Sequence, residues 1–436
     1  MINLMIVLAI VVSIIIGYRT KINTGIVAIL FAYVIGCFFL GLKSKEVIAM
    51  WPVSTMFSIM SITLFYGMGV VNGTLEKTAR YLLYYMRNYK SVLPFILFLI
   101  AVLVGGLGAG NFAVVAFMAP LSIMICHEAG INILAAAVAI NGGSLVGGNF
   151  MTSNLGIVFR QHAEEATTGT PLEGYASFSG QFLHFIVSFL FFGILVFAFT
   201  VLLGRKHTQE TVVTMECPEK FNTKQKLTLK LMILMLAIVL IIPIFHMLIP
   251  GNGVITYLNK KVDVSLMACV FAFIALCLDL APQKEVIAKV PWGTIVMVCG
   301  VGMLVQVAIS AGTIQLLASW IGANVPVAVV PVVFALVAGI MSFFSSTIGV
   351  VCPTLFPLIP TIAGATGISP LVLFTCTLVG SQSTACSPLS ASGSMIVGSC
   401  PTQKEQNELF EGLISKAVPI SLIFALIVAA ILSVLL

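Results

Sequence analysis

Charge is what this chain has least of. Asp, Glu, Lys and Arg make up 8% of its 436 residues, where soluble domains carry about 25%. With a mean hydropathy of +1.14, that excludes a water-soluble globule and reads as a polytopic membrane bundle. No basic cluster stands apart from the loops, so nucleic acid is not an expected partner. The ten cysteines contain no CxxC pair, and neither a disulfide framework nor a zinc site is expected. The opening MINLMIVLAIVVSIII has no basic residue before its apolar run and no small-residue cleavage site, which argues against a removable leader. No acidic or basic residue lies well inside a predicted span; Asp263, Asp279 and Arg160 fall near ends. A carboxylate proton relay is therefore hard to build. Catalysis needs convergent acid, base or metal groups, and the intramembrane His184 and His246 do not supply them. The chain is not read as an enzyme, and no cofactor is expected.

What the chain has instead is polar, glycine-rich backbone interrupting its apolar runs. From Gly105 it reads GGLGAGNFAVVAFMAP, then EAGINILAAAVAINGGSLVGGNFMTSNLG; from Ser342 it reads SFFSSTIGVVCPTLFP, then ATGISPLVLFTCTLVGSQSTACSPLSASG. Such backbone is tolerated at membrane depth only where protein buries it or water reaches it. Matched interruptions in two halves point to a transporter's binding site.

The halves are related by constant offsets. Lys45-Glu46-Val47-Ile48-Ala49 with Pro52 recurs 239 residues on as Lys284-Glu285-Val286-Ile287-Ala288 with Pro291, and Thr55 with Thr294 keeps that spacing. Pro120/Pro357, Gly143-Ser144/Gly380-Ser381 and Gly156/Gly393 are 237 apart. The first half, 1–204, is predicted to hold scaffold helices over 1–90, including an interfacial helix over 74–90. A re-entrant hairpin over 91–127, a broken helix over 131–160 and a final helix over 178–204 complete it. A cytoplasmic linker, 205–227, leads to the second half, 228–436: scaffold over 228–324, hairpin over 325–363, broken helix over 368–399 and final helix over 413–436. The expected fold class is an all-α polytopic membrane protein with about ten transmembrane helices, two re-entrant hairpins and two interfacial helices. Five crossings per half make the repeats inverted. Positive-inside counting agrees: 16 of the 21 Lys and Arg fall in segments then assigned inside, with both termini outside. The acidic loop with Glu164, Glu165 and Glu173 also falls outside.

The tips of two opposed hairpins can meet near the midplane, each facing a broken span. The expected substrate-binding residues are Asn111, Thr152, Asn154, Ser346, Thr347, Ser383 and Ser387. A cation shell is expected from Gly110, Asn111, Ser144, Gly147, Ser345, Ser346, Ser381 and Thr384. Neutral hydroxyls and amides avoid the cost of a charge at the bilayer centre; helix N-termini favour anions and C-terminal carbonyls favour cations. An anionic substrate neutralised by co-bound Na+ follows.

The order of elements, the paired hairpins and the repeat resemble the ion transporter superfamily, and more narrowly the divalent anion:sodium symporters and the MatC-type dicarboxylate (malonate) carriers. NTGIVAILFAYVIGCFFLGL, KEVIAMWPVS and VNGTLEK carry the MatC likeness. In the symporters a Ser-Asn-Thr signature marks each hairpin tip. Here the first tip keeps only Asn111 of it and the second reads Ser345-Ser346-Thr347, while Met151-Thr152-Ser153-Asn154 is similar to the symporters' Thr-Pro-Pro-Asn. These departures remove side-chain oxygens expected at one sodium site. The resemblance implies sodium-coupled uptake of a small dicarboxylate by an elevator motion, in a homodimer in the inner (plasma) membrane. Proton-coupled or exchange transport of citrate or a sugar acid is the alternative; an integral membrane enzyme and a channel are weaker ones.

Overall fold

The computed structural model describes residues 2–20, 22–86, 92–167, 177–203, 217–249, 252–344, 346–400 and 402–435. The described chain is helical. The first half comprises α1 (Ile2–Thr20), α2 (Thr24–Tyr33, continued by a wider turn to Phe39), α3 (Ser44–Ala49), α4 (Val53–Val71), α5 (Thr74–Met86), α6 (Leu93–Val104), α7 (Asn111–Glu128), α8 (Ile133–Gly148), α9 (Asn154–Thr167) and α10 (Phe178–Leu203). The second comprises α11 (Thr223–Leu248), α12 (Gly253–Lys261), α13 (Val264–Cys277), α14 (Gln283–Ala288), α15 (Trp292–Ser310), α16 (Thr313–Asn324), α17 (Val330–Phe344), α18 (Cys352–Leu355), α19 (Ile359–Thr366), α20 (Pro370–Ser383), α21 (Ala391–Gly398), α22 (Gln403–Gly412) and α23 (Val418–Leu435). Among the described residues six helices are long and apolar enough to cross a membrane. The protein is a multi-pass membrane protein.

The long helices show why. On α10, Leu190, Ile194, Phe197 and Val201 are exposed at steps of three and four, while Phe191, Leu195 and Phe199 are buried. An apolar face with no protein over it suits lipid. The opposite face meets the other half, where Phe191 stacks on Phe424 of α23 at 5.2 Å.

The halves interlock rather than lying side by side. α2 packs on α15, and α13 on α4. Asn72, which ends α4, donates its side-chain amide to the Thr228 hydroxyl at 2.8 Å and to the Leu280 carbonyl at 3.2 Å, while Gln225 donates to the Asn72 carbonyl at 2.9 Å. That elbow leads into amphipathic α5, whose Arg80 pairs with Glu76 at 2.8 Å.

Within each half a split segment lies against a broken one. α6 and α7, joined at Gly105–Gly110, both pack along α8; α17 packs along α20 in the same way. The offset-matched glycines sit at these crossings. A β-carbon on Gly143 would come within 2.5 Å of the Phe98 carbonyl on α6, and one on Gly380 within 2.2 Å of the Ala335 carbonyl on α17. The sequence repeat thus marks positions where backbone touches backbone.

Some boundaries differ from the sequence reading. The final helix starts not at 413 but at Gln403, because Thr402 and Glu405 form a capping box that starts α22, and the helix runs on into α23. The linker is shorter than 205–227, since Asn222 and Gln225 cap α11 from residue 223. The expected loop at Glu164 and Glu165 is the last part of α9, where Arg160 pairs with Glu164 at 2.7 Å; Glu173 lies outside the described residues.

The Gly380 contact gives a stability prediction. Gly380→Val should lower stability by about 1–3 kcal/mol through overpacking, read as a fall in melting temperature of detergent-purified protein. Gly398→Val, with nothing within 4 Å of its added β-carbon, should leave the melt close to the parent's.

Candidate functional site

The cavity begins where helices fail to continue. In the first half the backbone leaves the helical path at Gly108 (φ 91°) and Gly110 (φ 74°) before α7 starts at Asn111. Gly108 could not be replaced cheaply: a β-carbon there would lie 2.3 Å from the Tyr66 ring, and φ is in the left-handed region. In the second half α17 ends at Phe344, and Ser346 is extended (φ −107°, ψ 133°), its hydroxyl accepting the Gly349 N–H at 3.2 Å. The broken spans open at 149–153, between α8 and α9, and at 384–390, between α20 and α21.

A cavity of about 520 Å³ forms among these interruptions. Its wall includes Asn111 and Phe112 from the first split segment; Ser342, Ser346, Thr347 and Ile348 from the second; and Gln382, Ala385, Ser390 and Ser392 from the second broken span. The frame supplies Asn23 and Thr24 at the start of α2 and Gly293 and Thr294 at the start of α15. Among the described residues, none that lines it is acidic or basic. Four helix beginnings face it: α2, α7, α15 and α21. A helix N-terminus carries roughly half a positive charge, so these first turns can take an anion without a charged side chain. The last turns of α1, α17 and α20, which bring Gly17, Ser342 and Gln382 to the same wall, present carbonyl ends that suit a cation.

Asn111 is 6% exposed, and its side-chain carbonyl has no hydrogen-bond partner among the described residues. At the second tip the Ser342 and Thr347 hydroxyls lie 3.1 Å apart. Asn23 donates to the Gly293 carbonyl at 2.7 Å, fastening the α2 start to the α15 start. A smaller cavity of about 130 Å³ shares Asn111, Phe112, Thr294 and Ile348 with the larger one, and adds Tyr66, Gly67, Gly108, Gly110 and Lys289.

Of the residues expected from sequence, the structure brings Asn111, Ser346 and Thr347 to the larger cavity and Gly110 to the smaller one. Most of the others bond or pack away from the cavity wall. Ser144 donates to the Asn141 carbonyl at 2.9 Å, Ser381 to Leu378 at 2.9 Å and Ser383 to Gly380 at 2.6 Å, each bonding its own helix. Thr384 donates to the Gly339 carbonyl on α17 at 2.8 Å. Ser387 accepts the Leu389 N–H at 3.2 Å. Gly147 is a packing position, where a β-carbon would meet the Val102 carbonyl at 2.4 Å. Thr152 is buried beside the Tyr66 hydroxyl, Asn154 opens α9, and Ser345 lies outside the described residues. Sequence reasoning passed over Asn23, Thr24, Gly293, Thr294 and Ser342. The cap Asn23-Thr24-Gly25 and the Pro291-Trp292 start were signals that could have found the frame's share.

The two breaks are bridged by one reciprocal pair. The Asn149 amide donates to Gln382 at 2.8 Å, and the Gln382 amide donates back at 2.7 Å; both residues are almost fully buried. Losing either partner strands a buried amide. Asn149→Ala and Gln382→Ala should each cost about 1–3 kcal/mol. The double variant should melt well above the sum of the two losses, a non-additivity that marks direct coupling.

No curated protein matches the chain. A solved structure, the YdaH transporter of Alcanivorax borkumensis, is similar in fold, with a TM-score of 0.58 and 17% identity over 90% of this chain and 89% of that one. Residues 1–148, through the end of α8, match the family described as the N-terminus of the dicarboxylate carrier protein MatC. The first 148 residues are thus similar to the N-terminal region of the MatC-type dicarboxylate carriers, and the fold as a whole is similar to that of the YdaH transporter.

Proposed function

We propose that the protein is a secondary transporter that takes up small dicarboxylates of the malonate or C4 class together with sodium. The observation that carries this reading is the uncharged cavity ringed by four helix N-termini. Each terminus is worth about 0.3–1 kcal/mol toward a carboxylate, more where water is excluded. Asn111, Ser346 and Thr347 would bond the carboxylate oxygens. Match of the first 148 residues to a dicarboxylate-carrier N-terminus supports the substrate class.

Alternating access would come from an elevator motion of the split and broken segments against the frame, with the two halves threaded in opposite senses. On this reading the ties between α9 and α4 must break in each cycle: Glu165 accepts from Thr55 at 3.0 Å and Ser54 at 3.3 Å, and Gln161 donates to the Ser58 hydroxyl. Dimerisation through the frame and a plasma-membrane location with both termini outside complete the proposal. Its sodium half rests on the resemblance to the symporters and on the carbonyls freed at the breaks.

One observation favours a second reading, proton coupling. His162 is 4% exposed and its Nδ1 lies 3.6 Å from Glu165, so a buried imidazole and a carboxylate meet on the same helix that lines the cavity through Leu155 and Phe159.

Proteoliposomes decide between them. Malonate or succinate uptake should follow an imposed sodium gradient at constant pH; uptake driven by a pH gradient and indifferent to sodium would replace sodium with the proton reading. Asn111→Ala and Thr347→Ala should each cut uptake at least about tenfold, as loss of a hydrogen bond to a charged group implies, with expression and melting temperature unchanged. Normal transport by both would place the site elsewhere.

A further inference from the structure

Among the described residues, the one charged side chain on either cavity wall is Lys289, in the smaller cavity. It ends α14, its side chain is exposed, and it forms no ion pair among the described residues. Glu285, one turn earlier on the same helix, does not reach it. Its β-carbon packs 3.7 Å from the space a side chain on Gly67 would fill, so the missing side chain on α4 leaves room beside the lysine stem. From there the wall continues through Pro291 and Thr294 to Asn111, which both cavities share.

The position has a counterpart in the other half, and the two differ in charge. By the 239-residue offset, Lys289 corresponds to Met50 and Thr294 to Thr55. Around Thr294 the space is open and belongs to both cavities. Thr55 instead donates to the Glu165 carboxylate, and Gln161 fills the neighbouring position against Ser54 and Ser58. Where the first half has an uncharged Met50, the second half puts an ammonium, unpaired among the described residues, on a wall that leads to Asn111.

We propose that the smaller cavity is a second anion-binding site, for a carboxylate, and that Lys289 is its recognition residue: it holds the substrate in passage and delivers it to Asn111 and Thr294. A lysine suits this role better than the central wall does, since a mobile, strongly hydrated ammonium attracts at a distance and releases readily. Neutral polar groups then take over where a fixed charge would cost too much. The inference rests on the transport reading for its substrate class, and its test does not.

Purified full-length protein is acetylated with sulfo-N-hydroxysuccinimide acetate, and Lys289 modification is followed by mass spectrometry. Malonate should slow acetylation of Lys289 selectively, while neutral malonamide should not and Lys284 should react equally with either. In uptake assays Lys289→Gln should raise the half-saturating malonate concentration about tenfold, the loss of one charge-assisted contact, and abolish its dependence on ionic strength; Lys289→Arg should stay within about threefold of the parent, keeping the charge. If malonate, citrate and sulfate all leave Lys289 acetylation unchanged, the proposed site is wrong. If the parent moves no dicarboxylate but malonate still protects Lys289, the transport reading fails and the anion site stands.

Discussion

The structure depends on leaving helical backbone unfinished inside a membrane bundle and satisfying it there. A stray N–H or carbonyl in hydrocarbon costs several kcal/mol, so each interruption must be closed by protein. The Asn149–Gln382 side-chain pair joins the two broken spans, with two hydrogen bonds of 2.8 and 2.7 Å between the halves. Around it each break is tied to the split segment of its own half: Ser153 donates to the Gly105 carbonyl at 2.9 Å, and Thr384 to Gly339 at 2.8 Å. Remove these bonds and the cheapest repair is to rewind the helices, which would erase the cavity.

That constraint also explains why the cavity carries so little charge. A wall built from helix starts already presents oriented N–H groups, and fixed lysines or arginines would add a desolvation cost to every conformation in which the site is closed. Dipoles pointed at an anion lose less when the anion leaves, because their own helices still solvate them. A carrier must release what it binds, and moderate attraction from several termini serves that better than one strong ion pair.

Much of this was legible in the sequence, for reasons that can be named. The breaks showed because Gly, Ser, Thr and Asn interrupt runs that lipid would otherwise keep apolar, and the offset of Gly143 from Gly380 showed because both must let a carbonyl approach. Asn111 and Thr347 could be picked from tip positions. What stayed hidden was the division of labour among hydroxyls: Ser144, Ser381 and Ser383 look like ligands in a linear reading, yet a serine in a buried helix can bond its own carbonyl three residues back. Asn23 and Thr294 stayed hidden for the opposite reason, since only the crossing of α2 over α15 carries those two helix starts to the same wall. A long-range crossing leaves no local pattern. Glu165 was read as part of an acidic loop outside the membrane, because nothing in its neighbourhood announces that Ser54 and Thr55 will bond it from α4.

The contacts between α9 and α4 bear on motion as well as stability. They join a helix that lines the cavity to one that frames it, and they cluster at one end: Glu165 and Gln161 bond Ser54, Thr55 and Ser58, and Ser58 passes the network to Ser265 on α13 at 2.7 Å. At the matching end of the other half, Thr294 faces open space. In the first half the threonine is thus held in a hydrogen-bond network, while in the second it lines both cavities, although the sequence repeat puts a threonine at both positions. The difference lies in what each threonine meets, a carboxylate carried by α9 in one case and none in the other. Small polar bonds of this kind, about 1 kcal/mol each net, are strong enough together to bias how α9 sits against α4 and weak enough to be broken by the binding energy of an anion. That is the range in which a ligand can shift a conformational equilibrium.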